Sequence, residues 1–249
     1  LKGILKSGEV EASDMIASAK SDKTREKIEK ELSIRKADTN AQVVDFADVV
    51  FLAVKPQFLE GVLDEIRDSV KAGQIFISIA PGKTLQWLGE RLGENTKVIR
   101  TMPNTPAMVG EGMTALCVNE LVTEEETALA VKLCNTFGKT EVIPEHLMDA
   151  VVGVSGSSPA YVFMFLEAMA DAAVADGMPR AQAYKFAAQS VLGSAKLMLE
   201  TGKHPGELKD MVCSPAGTTI QAVRVLEEKG FRSAVIEAQT ECVKKARGM

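Results

Sequence analysis

The sequence predicts an α/β domain followed by an all-α domain. Three observations predict it: short β-branched runs alternate with helical patterns as far as Pro144, strand signal is scarce beyond that proline, and apolar residues then recur at helical spacing to the end of the chain. In the first part, Met15–Ala19, Val49–Val54, Ile75–Ala80 and Lys97–Met102 read as strands. Lys23–Leu32, Pro56–Val70 and Leu85–Leu92 read as the crossover helices between them. Such alternation means a parallel sheet covered by helices on both faces. Gly110–Val118 and Lys139–Ile143 add strands around a helix over Glu124–Phe137, with Thr123 as its cap. The second part reads as helices over Ala160–Ala175, Arg180–Leu199, Thr218–Glu228 and Arg232–Lys245, with Gly177, Gly202 and Gly230 ending three of them and Pro179 and Pro205 restarting two. The boundary falls between Ile143 and Ala150, giving domains 1–145 and 146–249.

Bulk properties exclude several function classes. The 249 residues are 46% hydrophobic, enough for sizeable cores, and the formal charge of −5 argues against nucleic acid as the main partner. No uninterrupted apolar run is expected to reach membrane-spanning length, because Glu167, Asp171 and Asp176 break the stretch near Phe163. Cys117, Cys134, Cys213 and Cys242 are scattered and form no CxxC pair, so they read as free thiols of a reducing, cytoplasmic compartment, without a zinc site. The two histidines, His146 and His204, belong to no nucleophile–base or metal-ligand arrangement, which leaves hydrolysis poorly supported.

The most informative stretch is Ser214-Pro215-Ala216-Gly217-Thr218-Thr219, a tight turn placed directly before an apolar-periodic helix. Pro215 fixes its own φ, and Ala216 and Gly217 leave little side chain between the backbone N–H groups and a ligand. Free N–H groups at a helix start attract a small carboxylate or phosphate. Capping by Ser214, Thr218 and Thr219 is the commoner use of such residues. Ser155-Gly156-Ser157-Ser158-Pro159-Ala160 lacks the G-x-S-x-G pattern and reads as a break and cap before the long helix.

His204-Pro205-Gly206-Glu207-Leu208-Lys209-Asp210, the turn just described, and Val223-Arg224-Val225-Leu226-Glu227 together resemble the signature of delta-1-pyrroline-5-carboxylate reductases. The resemblance extends upstream through Ser155-Gly156-Ser157-Ser158-Pro159-Ala160-Tyr161, Arg100-Thr101-Met102-Pro103-Asn104-Thr105-Pro106 and Ala53-Val54-Lys55-Pro56, in the family's order. It implies a Rossmann-like dinucleotide-binding first domain and a helical second domain that binds substrate and dimerises. Two departures stand out. The family usually has two glycines where this chain has Ala216-Gly217, and no GxGxxG turn follows a strand in the first half. The first strand and its Gly-rich turn are therefore expected to be missing, with Leu1–Gly8 matching the end of the family's first helix.

The resemblance assigns Ala53, Val54, Lys55, Pro56, Ile79, Ala80 and Pro81 to the cofactor edge, and Asn40 to the neighbourhood of the adenosine ribose. At the end of the strand Met15–Ala19, Ser18-Ala19-Lys20-Ser21 stands where NADH enzymes often carry an acid, so Ser18 joins the cofactor set and NADPH is expected over NADH. The substrate carboxylate is assigned to Ser214, Ala216, Gly217, Thr218 and Thr219, with the Thr219 hydroxyl at the ring nitrogen as the catalytic contact. Asn104 either orients substrate or nicotinamide or makes a side-chain-to-backbone turn beside its prolines. The implied activity is reduction of 1-pyrroline-5-carboxylate to L-proline, the last step of proline biosynthesis, by a homodimer or multiple of dimers. Two alternatives are a related two-domain hydroxy- or imino-acid dehydrogenase and a non-catalytic oligomeric protein.

Overall fold

The computed structural model describes residues 1–248. The chain forms two compact units, one made of Leu1–Gly156 together with the stretch from Val243, the other of Ser157–Cys242.

The first unit opens with α1 (Lys2–Ser7), closed by Gly8 in the left-handed region, and continues through β1 (Ile16–Ala17), α2 (Asp22–Leu32), β2 (Arg35–Lys36) and α3 (Asn40–Phe46). Then follow β3 (Val49–Leu52), α4 (Pro56–Ile66), β4 (Ile75–Ser78), α5 (Leu85–Leu92), β5 (Lys97–Met102), β6 (Gly112–Val118), α6 (Glu124–Asn135) and β7 (Gly138–Val142). Strands β1 and β2 form a parallel pair, and β3-β4-β5-β6-β7 form a sheet in that order, parallel except for the antiparallel β5–β6 pairing.

Strand β4 sits inside this sheet and shows why the fold holds. All four of its residues are buried, as expected where helices cover both faces. Its side chains alternate: Phe76 joins Leu59, Leu63 and Ile66 of α4 and Leu88 and Leu92 of α5, while Ile75 and Ile77 meet Ile99, Leu116 and Ala130 on the other side. Leu59, Leu63 and Ile66 recur at helical spacing on one face of α4, which Pro56 starts at a position where a missing N–H costs nothing. Helix α6 is fixed by a capping box between Thr123 and Glu126.

Beyond β7 come α7 (Met148–Val151) and a π-helical turn over Val152–Gly156, and then α8 (Ser158–Ala175). The break expected at Ser155–Ala160 is present as a bend at Ser157 between the π turn and α8, but the expected cap is not, since Ser157 makes no side-chain cap. The hydropathy reading changes too. Glu145–Ala175 contains an 18-residue window of mean hydropathy 1.2, long and apolar enough by length and composition to cross a membrane, although the acidic residues were expected to rule that out. The second unit adds α9 (Arg180–Thr201), α10 (Pro205–Val212) and α11 (Thr218–Glu228), and α12 (Phe231–Arg247) carries the chain back into the first unit. Gly177, Gly202 and Gly230 all have positive φ and stand where helices end. Many large apolar side chains stay exposed here, among them Phe163, Met164, Phe186, Leu199 and Ile236.

Candidate functional site

In the first unit, the parallel register Leu52↔Ser78 brings two strand ends side by side. The segments that follow, Ala53-Val54-Lys55-Pro56 and Ile79-Ala80-Pro81, leave the same edge of the sheet, and Ile79 N–H donates to the Leu52 carbonyl (3.4 Å). Ala80 is buried, with its N–H donating to Ser78 Oγ (3.3 Å), whereas Lys55 is exposed at the N-cap of α4. Carboxyl ends of adjacent parallel strands are where open α/β sheets meet their ligands.

Ser18 and Asn40, 22 positions apart, are also brought together. Ser18 Oγ donates to Asn40 Oδ1 (2.6 Å). Glu65, at the far end of the helix that Lys55-Pro56 begins, accepts from both Asn40 N–H (3.1 Å) and Asn40 Nδ2 (2.7 Å). Sequence reasoning missed Glu65, because nothing local to an exposed helical glutamate marks a partner 25 residues upstream. Next to Ser18, Lys20 is held over the Phe58 ring, its Nζ 4.9 Å from the centroid. A second cation was also missed: Arg25 Nη1 donates to the Ala19 carbonyl (2.8 Å), and its other terminal nitrogen pairs with Asp22. The loop after β1 is therefore flanked by two cations, and these residues fit the ribose end of a dinucleotide.

In the second unit, His204 is a structural cap whose Nδ1 accepts from Gly206 N–H (3.1 Å) at the start of α10. After Cys213, Gly217 N–H donates to the Ser214 carbonyl (3.0 Å) while Ala216 holds φ at 57°. Proline second and a positive φ third mark a type II turn, in which glycine usually takes the third place. The Gly217 amide is consumed by this turn, which corrects the expectation of free donors all along Ser214–Thr219. Gly217 instead supplies room, since a Cβ there would lie 2.3 Å from Ser214 Oγ.

Gly217 is also the N-cap of α11, and no side chain caps that helix. The capping role weighed for Ser214, Thr218 and Thr219 is absent, and the first amides of α11 keep the orphan donors of an open helix start. Among the described residues, the Thr219 hydroxyl has no intramolecular hydrogen bond, in contrast to the capping Thr39, Thr84 and Thr123. What remains is a half-buried hydroxyl beside free amides, suited to a small anion with an adjacent polar atom.

The thiols play no part in this chemistry at neutral pH where they are buried. Burial and the nearby Glu145 carboxylate push the Cys117 thiol up to about 12, and burial pushes Cys134 up to about 11. Among the described residues, no group of three His, Cys, Asp or Glu side chains is placed to hold a metal ion.

Residues 1–82 match the family described as NADP oxidoreductase, coenzyme F420-dependent. With the paired strand ends, this defines the class: the protein is an NAD(P)H-dependent oxidoreductase, with a Rossmann-like α/β unit followed by helices. Residues 145–249 match the pyrroline-5-carboxylate reductase dimerisation family. The chain is 55% identical to pyrroline-5-carboxylate reductase of Escherichia coli (strain K12) over 99% of its own length and 91% of that protein. It also resembles two solved structures. One is a pyrroline-5-carboxylate reductase from Coxiella burnetii (TM-score 0.92, 32% identity, 99% of this chain and 93% of that one). The other is the Plasmodium falciparum pyrroline carboxylate reductase with NADP bound (TM-score 0.89, 28% identity, 99% and 91%). The chain belongs to the pyrroline-5-carboxylate reductase family.

Proposed function

We propose that this protein reduces 1-pyrroline-5-carboxylate to L-proline in the cytoplasm, preferring NADPH to NADH, as a homodimer or a multiple of dimers. The observation that carries the reading is the uncapped start of α11, where a turn built from Pro215, Ala216 and Gly217 leaves open amides next to an unengaged threonine hydroxyl. A cyclic imino acid presents a carboxylate and a ring nitrogen on the same carbon, which matches amides with an adjacent hydroxyl.

The dinucleotide, when bound, supplies the hydride. In this reading Ala53–Pro56 and Ile79–Pro81 line its path along the strand ends, and Ser18 and Asn40 hold the adenosine ribose, kept in place by Glu65. The amides of Thr218 and Thr219 hold the substrate carboxylate, with Ser214 and Ala216 shaping the turn. Thr219 hydrogen-bonds the ring nitrogen and, once hydride transfer has turned the protonated imine into an amine, relays a proton from solvent to it, a role of orientation rather than strong acidity, because a hydroxyl has far too high a pKa. A protonated imine is already electrophilic, so alignment supplies most of what the reaction needs.

NADPH preference rests on the absence of an acid at Ser18–Ser21 and on Lys20 and Arg25 flanking that loop. Oligomerisation rests on the dimerisation match over 145–249 and on the exposed apolar side chains of the same region, which also gives the apolar Glu145–Ala175 helix an occupant other than lipid. The test is pyrroline-5-carboxylate-dependent oxidation of NADPH by the full-length protein, followed with NADH in parallel. No substrate-dependent oxidation overturns the activity, and equal kcat/KM for the two cofactors overturns the preference.

A further inference from the structure

Two motifs, Met102-Pro103-Asn104 and Ser155-Gly156-Ser157-Ser158-Pro159, meet at one amide group. Pro159 stands second in α8 and has no N–H, so the Ser155 carbonyl four residues back loses the donor that a regular helix supplies. The chain passes this point in the π-helical turn Val152–Gly156, a rare geometry that is concentrated at functional sites. Asn104 Nδ2 donates to the Ser155 carbonyl in place of the missing donor (3.0 Å). The other end of the same side chain, Oδ1, accepts from Met113 N–H in β6 (2.9 Å). Reversing the amide would set oxygen against oxygen and N–H against N–H, so its orientation is fixed from both sides. Packing reinforces the junction, since a Cβ on Gly156 would lie 3.0 Å from Met102 Cε.

We propose that Asn104 is a positioning residue for the reaction: it latches the π turn Val152–Gly156 to β6, and so fixes the loop that leaves the carboxyl end of β5, at the same edge of the sheet as Ile79-Ala80-Pro81. This rests on the reductase reading above. The role demands one donor and one acceptor on a planar group. Aspartate keeps the acceptor for Met113 and loses the donor to Ser155; alanine loses both. Pro159→Ala supplies an N–H at position 159, which gives the Ser155 carbonyl a partner within the helix.

The experiment compares Asn104→Asp with Asn104→Asp/Pro159→Ala in the full-length enzyme, by steady-state kinetics, NADPH binding and amide hydrogen exchange. Asn104→Asp is expected to lower kcat by roughly ten- to a hundredfold, the scale of a misalignment far from the chemistry. NADPH affinity and the KM for the imino acid stay within about twofold. Exchange accelerates over 152–160 while Met113 stays protected, and adding Pro159→Ala reverses most of both the exchange and the kcat changes. Unchanged exchange over 152–160, a kcat within about twofold of wild type, or a loss that Pro159→Ala leaves untouched each overturns the latch. A wild-type protein without pyrroline-dependent activity overturns the reductase reading instead, and the exchange arms still decide whether Asn104 holds the turn.

Discussion

Thr219→Ala separates folding from chemistry at the start of α11. Since the hydroxyl makes no hydrogen bond within the chain among the described residues, and the side chain is only half-buried, its removal leaves no orphaned partner and no deep cavity. Alanine is the better helix former, by up to about 0.7 kcal/mol, so stability is expected to hold or rise slightly. Loss of a hydrogen bond to the ring nitrogen in a desolvated complex costs about 1–3 kcal/mol, a factor of roughly 5 to 150 in kcat/KM. Thr219→Ser keeps the hydroxyl and is expected to retain most of the rate. The assays are thermal unfolding and steady-state NADPH oxidation on the same preparations. Wild-type kcat/KM for Thr219→Ala refutes the role, and so does a rate loss that merely tracks a fall in Tm.

Ala216→Gly is expected to stabilise the protein by about 0.5–1 kcal/mol, because a left-handed residue with a Cβ costs about 1–2 kcal/mol and the greater unfolded-state freedom of glycine returns part of that; thermal unfolding checks the sign. Glu145 accepts from Arg100 Nη1 (3.0 Å) and from Leu85 N–H (2.7 Å), so Glu145→Ala strands a nearly buried guanidinium and the first turn of α5. Because Glu145 itself is about a third exposed, the expected cost in denaturant titration is about 2–3 kcal/mol, below that of a fully buried pair. At pH 8, Cys117 and Cys134 are expected to resist a thiol reagent until the protein unfolds, since a thiol at about 12 is ionised to roughly one part in ten thousand. The same raised values mean that the stability from keeping these thiols neutral is full below about pH 8.5 and is lost as pH rises towards 11 and 12, so alkaline unfolding is expected to shift upwards in Cys117→Ser.

The alternation of strand and helix was readable because each element advertises itself locally. Val49–Leu52, Ile75–Ser78 and Lys97–Met102 fall inside the expected strands, and Thr123 caps α6 as its spacing predicts. The elements missed were short or polar. Helix α3 hides in seven residues behind Thr39, β2 is the pair Arg35–Lys36, and α10 lay inside a segment read as a motif rather than as a helix. The expected strand Met15–Ala19 shrinks to Ile16–Ala17, because Ser18 and Ala19 turn out of the ladder, one towards Asn40 and the other into the grip of Arg25.

The candidate site divides along the same line. The turn at Ser214–Thr219 is legible because proline, a small residue and glycine dictate a backbone path within four positions, and the structure adds only which amide that path consumes. Glu65 and the Ser155 carbonyl were illegible because their partners lie 25 and 51 positions away and the demand for a partner arises from an omission. Pro159 is the one local trace of it: a proline four residues after a carbonyl in a helical turn withholds the donor that a regular helix would give that carbonyl. An asparagine already flanked by prolines is a suitable donor, because its backbone is held while its side chain stays free to bridge. The same amide therefore supplies a donor to the Ser155 carbonyl and ties the loop after β5 and the start of β6 to the π turn Val152–Gly156, so a residue whose sequence context suggests only a local turn bridges distant stretches of the first unit.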